Sequence, residues 1–209
     1  MKTTDYWTDD KDGYLERNQY LDYKGLVNFF TGGVELPYIA WQHQHGINKI
    51  SSICEYGCNV GLNLRVMEGM FPEADIHGFD VNFDAVEIAN ELEDVTAEYG
   101  NLLDPDNVVY DLVLTKGLLI HIAPEHIETA YESLYNMTGK YLLICEYYNP
   151  TPVEVEYHGK SGLLFKRDFA GDMLDKFPDL RLVDYGFRYH RDEYPQDDIT
   201  WFLLKKETK

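Results

Sequence analysis

Short apolar runs and helical patterns alternate through the middle of the chain. Runs rich in Ile, Leu, Val and Tyr predict strands at 50–56, 74–81, 95–100, 110–116 and 140–148. The segments between them predict helices at about 60–71, 83–94 and 124–138. In the last of these helices, Pro124 suits the first turn and Gly139 suits the end. The alternation predicts parallel β-α-β units with right-handed crossovers.

The two ends of the chain follow other patterns. Residues 1–48 are mostly helical with a break at Gly32-Gly33, and their many aromatic residues suit either the core or a lid over a ligand. Residues 149–167 are punctuated by Pro and Gly and predict an insertion. A helix and two strands are expected after it, at about 168–177, 180–189 and 198–206. Only a short polar link separates the two strands, which predicts an antiparallel hairpin.

Bulk composition narrows the class of protein. The 209 residues predict one domain over 1–209, and the formal net charge of −19 disfavours nucleic acid or an anionic membrane as a partner. No apolar run reaches the roughly 18 residues that span a bilayer, and the first residues lack a signal sequence. The three cysteines fit a reducing compartment and show no zinc-site spacing with other ligands. We therefore expect a cytoplasmic protein without a metal.

The stretch from Ile50 to Asn63 carries the first sign of function. It predicts a buried strand ending at Glu55, a turn through Gly57 and Gly61, and then a helix. Such a turn lets the backbone approach a ligand and directs the free N–H groups of the helix towards it. Two glycines alone are equally typical of an ordinary strand-to-helix turn.

A second feature, Asp80, favours the ligand-binding interpretation of this turn. Asp80 lies 25 residues after Glu55, near the end of the next predicted strand. An acid at that place can accept hydrogen bonds from both hydroxyls of a ribose. The pair of features predicts a cofactor that contains a nucleoside.

Residues 55–61 (Glu-Tyr-Gly-Cys-Asn-Val-Gly) are similar to the Glu/Asp-x-Gly-x-Gly-x-Gly motif of class I S-adenosylmethionine (SAM)-dependent methyltransferases, with Asn59 at the middle glycine. The resemblance implies an α/β, Rossmann-like fold: a seven-stranded, mostly parallel sheet with helices on both faces and a C-terminal antiparallel hairpin. It also implies S-adenosyl-L-methionine as cofactor.

The resemblance also implies a set of cofactor contacts. The methionine end lies along the glycine turn, Asp80 holds the ribose, and Asn101 and Leu102 line the adenine. Lys116 and Gly117 lie beside the reacting methyl group, and part of the helical lid closes the site. The implied residues are Tyr14, Arg17, Asn18, Glu55, Gly57, Asn59, Gly61, Asp80, Val81, Asn101, Leu102, Lys116 and Gly117.

Five separated blocks resemble a narrower family, the methylases associated with pseudaminic acid and surface-polysaccharide biosynthesis. They lie at 6–18, 115–122, 146–155, 164–171 and 184–191. The resemblance implies methyl transfer to a small polar acceptor such as a sugar or sugar nucleotide, and residues 149–167 would cap this acceptor.

Methyl transfer often needs a base that removes the acceptor's proton. We expect it at a strand end, where His121 and Glu146 are candidates. His121 is equally suited to bonding the backbone, and a buried Glu146 needs a ligand or a cation such as Lys116 or Arg167.

Substrate contacts are expected from residues that follow the fifth strand and from a basic pair in the insertion: Tyr147, Tyr148, Asn149, Lys166 and Arg167. The basic pair suits a carboxylate or phosphate, or else neighbouring acids such as Asp168 and Asp172.

The sequence also allows two alternatives to a SAM-dependent methyltransferase. A nicotinamide dehydrogenase would need Gly-x-Gly-x-x-Gly, which Asn59 interrupts. A non-catalytic SAM-binding partner protein would keep the fold without the chemistry.

Overall fold

The computed structural model describes residues 23–105 and 108–207. Within these residues the strands are β1 (Ser52–Tyr56), β2 (Asp75–Asp80), β3 (Val95–Tyr99), β4 (Tyr110–Lys116), β5 (Thr138–Glu146), β6 (Val153–Tyr157), β7 (Lys160–Lys166), β8 (Leu180–Arg188) and β9 (Ile199–Lys206). The helices are α1 (Tyr23–Thr31), α2 (Glu35–Gln44), α3 (Leu62–Met70), α4 (Phe83–Ala89), α5 (Ile127–Met137) and α6 (Phe169–Lys176). Two short 3-10 turns lie at Leu119–His121 and Pro124–His126.

Seven of these strands form one sheet in the order β3-β2-β1-β4-β5-β9-β8. The first five are parallel, and β9 pairs antiparallel with both β5 and β8. This confirms the predicted fold class, including the C-terminal hairpin. It also brings the carboxyl ends of β1, β2, β3, β4 and β5 to one edge, where ligands bind in open α/β sheets.

Both faces of the sheet are buried, since successive strand residues point to opposite sides. On β1, Ile53 joins the cluster that includes residues of α1 to α4, while Cys54 joins the cluster that includes residues of α5 and α6. The central strands therefore read as continuous apolar runs, and this is why the sequence pattern located them.

Several predicted boundaries differ from the observed ones. Helix α4 was expected to reach residue 94 but ends at Ala89, because the side-chain amide of Asn90 bonds both the N–H and the carbonyl of Ala97, at 2.8 Å each. Gly139 lies inside β5 and does not end helix α5. The helix stops at Met137 instead, and the Lys206 ammonium donates to the carbonyls of Tyr135 and Thr138 at its end.

The insertion at 149–167 contains regular structure that the prediction lacked. Strands β6 and β7 pair antiparallel in a sheet of their own. His158 and Gly159 form the turn with φ of 49° and 71°, as two-residue hairpin turns require. Lys160–Lys166 then packs against the 3-10 turn that follows β4.

The N-terminal helices are fixed to the C-terminal strands. Oδ2 of Asp184 on β8 accepts the N–H groups of Val34 and Glu35 at 3.0 and 3.1 Å, and so satisfies two of the donors at the start of α2. Phe29 and Phe30 are buried in the core, which confirms the core interpretation for these two aromatic residues. The expected lid covers residues 1–48, and its first part, residues 1–22, lies outside the described residues.

No helix within 23–105 and 108–207 is long and apolar enough to cross a membrane.

We expect Asp184→Ala to lower the free energy of unfolding by about 1–2 kcal/mol, because two N–H groups at the start of α2 lose their acceptor. Urea unfolding measures the change. Asp75→Ala, at an exposed position that begins β2, should change the value by less than about 0.5 kcal/mol. Equal effects of the two substitutions would contradict the capping role.

Candidate active site

The glycine turn has the backbone geometry that a ligand-binding turn needs. Gly57, Asn59 and Gly61 have φ of 74°, 50° and 79°. A Cβ atom on Gly61 would lie 2.8 Å from the Leu92 side chain, so this position excludes larger residues. Asn59 adopts the left-handed conformation in place of the motif's middle glycine, which Asn does more readily than most residues. Helix α3 begins directly after the turn.

Asp80 connects this turn to the loop that follows β2. Its Oδ2 accepts the N–H of Asn59 and its Oδ1 accepts the N–H of Asn82, both at 2.9 Å. Burial raises the pKa of the carboxyl, although these bonds oppose the shift. Each carboxylate oxygen can accept a further bond. Asp80 therefore shapes the site and still has acceptor capacity for a ligand.

Glu55 is fully buried at the end of β1. Its Oε1 accepts a hydrogen bond from the Asn63 amide at 2.7 Å, while Oε2 has no hydrogen-bond partner among the described residues. Burial raises the pKa of Glu55 to about 8, against the opposing effects of Asn63 and Lys116. A buried acceptor in this situation points to a donor supplied by a ligand.

The end of β4 lies beside the end of β1, with Thr115 paired to Tyr56. Lys116 follows, and its ammonium lies 5.4 Å from the centre of the Phe29 ring. Burial lowers the pKa of Lys116, opposed by acidic groups that include Glu55. Gly117 has φ of 70°, and a Cβ atom there would meet no atom within 4 Å, so the glycine serves the conformation of the turn.

The predicted adenine segment lies next to the end of β2. The N–H of Gly100 donates to the carbonyl of Asp80 at 3.0 Å. Leu102 is buried, and Oδ1 of Asn101 accepts the N–H of Leu103 at 3.0 Å. Val81 directly follows Asp80 at the same edge. Tyr14, Arg17 and Asn18, the predicted lid contacts, lie outside the described residues.

His121 ends the 3-10 turn after β4 and contacts the β6–β7 hairpin. Its Nδ1 lies 2.7 Å from the carbonyl oxygen of Leu163, and its ring packs edge-on to Tyr157 with centroids 5.4 Å apart. A carbonyl oxygen only accepts, so Nδ1 carries the proton and the neutral ring has its lone pair at Nε2. Burial lowers the pKa of His121 to about 4, which keeps the ring neutral at pH 7.

Glu146 is buried beneath the same turn. Its Oε1 accepts the N–H groups of Leu118 and Leu119 at 3.1 and 3.0 Å, and its Oε2 accepts that of Ile120 at 3.3 Å. Burial raises the pKa of Glu146 to about 7, although these bonds oppose the shift. These hydrogen-bond partners are backbone amides, and Lys116, one of the cations expected for this acid, interacts with it electrostatically.

The predicted substrate residues divide into two groups. The Lys166 ammonium lies 4.8 Å from the centre of the Tyr147 ring, and Tyr148 is exposed nearby. Asn149 and Arg167 have internal partners: the Asn149 amide donates to the carbonyl of Thr151, and Arg167 Nε lies 2.7 Å from Asp172 Oδ2. Arg167 therefore pairs with a neighbouring acid, one of the two roles that the sequence predicts for the basic pair.

Three residues of the site were not identified from the sequence. Asn63 bonds Glu55, Phe29 lies against Lys116, and Asn82 caps α4 by accepting from Asp84 and Ala85. Asn82 had a usable signal, since Asn is a preferred N-cap residue and here stands immediately before a helix. Within 23–105 and 108–207, no three or more His, Cys, Asp or Glu side chains are placed to hold a metal ion.

No protein-family model and no curated protein sequence matches this chain. Solved structures do match it. The plantazolicin methyltransferase BpumL in complex with SAH has a TM-score of 0.66 and 14% identity, over 99% of this chain and 94% of that chain. The fold is that of the class I methyltransferases.

Two further structures of this fold are similar. The 1,6-didemethyltoxoflavin-N1-methyltransferase of Burkholderia thailandensis, with bound 1,6-didemethyltoxoflavin and S-adenosylhomocysteine, has a TM-score of 0.65 and 14% identity over 92% of this chain and 83% of that chain. The magnesium protoporphyrin IX methyltransferase of Synechocystis PCC 6803, with bound SAM, has a TM-score of 0.60 and 14% identity over 95% and 86%. These class I methyltransferases share the architecture at low sequence identity.

The raised pKa of Glu55 predicts a pH dependence of stability. Between the ordinary value of 4.5 and about 8, the folded protein holds a proton here that the unfolded chain has lost. Stability from this group is therefore full below pH 4.5 and is lost as the pH rises through 8, by at most about 1.4 kcal/mol per pH unit.

Glu55→Gln should remove this contribution. Denaturant unfolding of the ligand-free protein at pH 7 and 8 measures it, since above pH 7 the similar contribution of Glu146 is mostly complete. The variant should lose less stability than the wild type between the two values. If the variant and the wild type lost the same stability between pH 7 and 8, the raised pKa of Glu55 would be contradicted.

Proposed function

We propose that this protein is a SAM-dependent methyltransferase acting on a small polar acceptor. The observation that carries the proposal is the buried Oε2 of Glu55, an acceptor without a partner among the described residues, beside the glycine turn. The fold supports the class of reaction, and the resemblance of residues 55–61 supports the cofactor.

The residues at the sheet edge fit this cofactor. Glu55 would offer an acceptor to the amino-acid end, whose positive charge favours loss of the Glu55 proton. Asp80 would offer its remaining lone pairs to the ribose hydroxyls, and the 57–61 turn allows close backbone approach. Asn101 and Leu102 would border the adenine, and Lys116 and Gly117 would lie towards the methyl group. When bound, S-adenosyl-L-methionine supplies an activated methyl group on a sulfonium.

The protein must hold the acceptor in line and remove its proton. His121 suits the second task, because its ring is neutral at pH 7 and has its lone pair at Nε2. A general base typically contributes about 10²–10⁴-fold in rate, and holding the reactants contributes much of the remainder. Tyr147, Tyr148 and Lys166 are the proposed acceptor contacts, with Asn149 and Arg167 shaping the insertion around them.

We propose a sugar or sugar nucleotide as the acceptor and the cytoplasm as the location. The five sequence blocks that resemble polysaccharide-associated methylases support the acceptor class. The net charge of −19 favours a small molecule over nucleic acid. Two similar structures hold small molecules, a pentazolic desmethylPZN analog in BpumL and 1,6-didemethyltoxoflavin in the Burkholderia thailandensis enzyme.

Asp80→Ala should weaken SAM binding by about 1–3 kcal/mol, because the ribose hydroxyls would lose a partly buried acceptor. Isothermal titration calorimetry with SAM measures the affinity. Asp84→Ala, at an exposed position in the first turn of α4, is the matched control and should bind as the wild type does. Unchanged affinity in Asp80→Ala, with the fold intact by circular dichroism, would remove Asp80 from the site.

Release of S-adenosylhomocysteine in the presence of a panel of sugar nucleotides tests the acceptor. Turnover with a panel member supports the proposed class. SAM binding without turnover on any tested acceptor would favour the non-catalytic partner protein instead.

A further inference from the structure

We infer that Glu146 is a positioning residue that fixes the orientation of His121 through the backbone of the turn between them. This inference rests on the proposed function for its catalytic meaning. The contacts among Glu146, residues 117–121 and the β6–β7 hairpin can be tested without any acceptor.

The chain makes a sharp turn as it leaves β4. The N–H of Gly117 donates to the carbonyl of Cys145 at 2.9 Å, which keeps the two neighbouring strands together up to their ends. Gly117 then takes a left-handed conformation and turns the chain over the end of β5. The next three residues pass directly above Glu146.

Glu146 lies under this turn and forms hydrogen bonds with its backbone. The first N–H groups of a helical turn have no partner within the turn itself. Here one buried carboxylate from the adjacent strand accepts three of them, from residues 118, 119 and 120, at 3.0 to 3.3 Å. With both oxygens engaged in this way, Glu146 stabilises the backbone conformation that immediately precedes His121.

Two contacts hold the His121 imidazole in place. Its backbone is held from below by the turn, and its Nδ1–H is held from the side by the Leu163 carbonyl at 2.7 Å. Together these two constraints favour the Nδ1–H tautomer. If the turn loosens, the distance from Nδ1 to Leu163 changes, and the proton is no longer directed to Nδ1.

Two ionisable groups on neighbouring strand positions interact with the Glu146 carboxyl group. Lys116 on β4 and Cys145 on β5 interact electrostatically with Glu146, and burial shifts the pKa values of both. Replacement by Gln keeps the size of the side chain and one acceptor oxygen. The amide group, however, brings an N–H donor towards an N–H donor of the turn.

Nuclear magnetic resonance of ¹⁵N-labelled, cofactor-free protein tests the inference. In the wild type, we expect His121 to show the Nδ1–H tautomer and a titration midpoint near 4. In Glu146→Gln, we expect a mixture of the Nδ1–H and Nε2–H tautomers, because the turn no longer holds Nδ1 at the Leu163 carbonyl. Unchanged ¹⁵N shifts of His121 in a folded variant would overturn the inference.

The matched control is Asp184→Asn, which alters another acidic side chain that accepts two backbone N–H groups at a helix start, on β8. It should lower the melting temperature yet leave the His121 signals as in the wild type. An equal change of His121 in this control would show that the signals report general loss of stability, and would also overturn the inference.

Gly117→Ala provides a second variant in case Glu146→Gln does not fold. It strains the same turn through its φ of 70° while leaving the carboxylate in place. It should shift the His121 signals in the same direction, and unchanged signals would count against the inference. SAM calorimetry on the wild type tests the proposed function separately, because failure to bind SAM leaves the result for His121 intact.

Discussion

The two hydrogen bonds to Asp80 are the interaction on which the proposed cofactor site depends. The strand ends supply position, but the loops that follow β1 and β2 must also adopt fixed conformations close to each other. One carboxylate accepts an N–H from each loop, at 2.9 Å, and so holds Asn59 in its left-handed conformation beside the start of α4. The acceptor that we propose for the ribose is thus already oriented by the protein, and this reduces the ordering cost of binding.

The same edge of the sheet concentrates buried charge, which is unfavourable for folding. Glu55, Lys116 and Glu146 lie at the ends of three adjacent strands, and burial opposes the charged form of each. Glu146 is compensated by backbone amides and Glu55 only in part, by Asn63. Functional sites commonly retain such groups at a cost in stability, and the incomplete compensation at Glu55 is consistent with a site that a ligand completes.

The sequence located the main sheet because its central strands are buried on both faces and carry uninterrupted apolar runs. It failed at the insertion, where Val153–Tyr157 alternates apolar with acidic residues but the Pro and Gly residues around it obscured the strand signal. The glycine turn and Asp80 were predictable because each requires a particular residue type at a particular place. The partner of Glu146 was not, since backbone amides have no sequence signal and only the fold brings residues 118–120 above β5.

The contact between His121 and the hairpin has a consequence for how this protein can diverge. The acceptor of the imidazole proton is a main-chain carbonyl, which every amino acid at position 163 supplies. Strands β6 and β7 pair with each other in a separate sheet, so hairpin side chains can change without breaking a hydrogen bond of the seven-stranded sheet. Relatives with different acceptors can therefore retain the same proton arrangement on the histidine, and an alignment of their sequences would show no invariant partner for it.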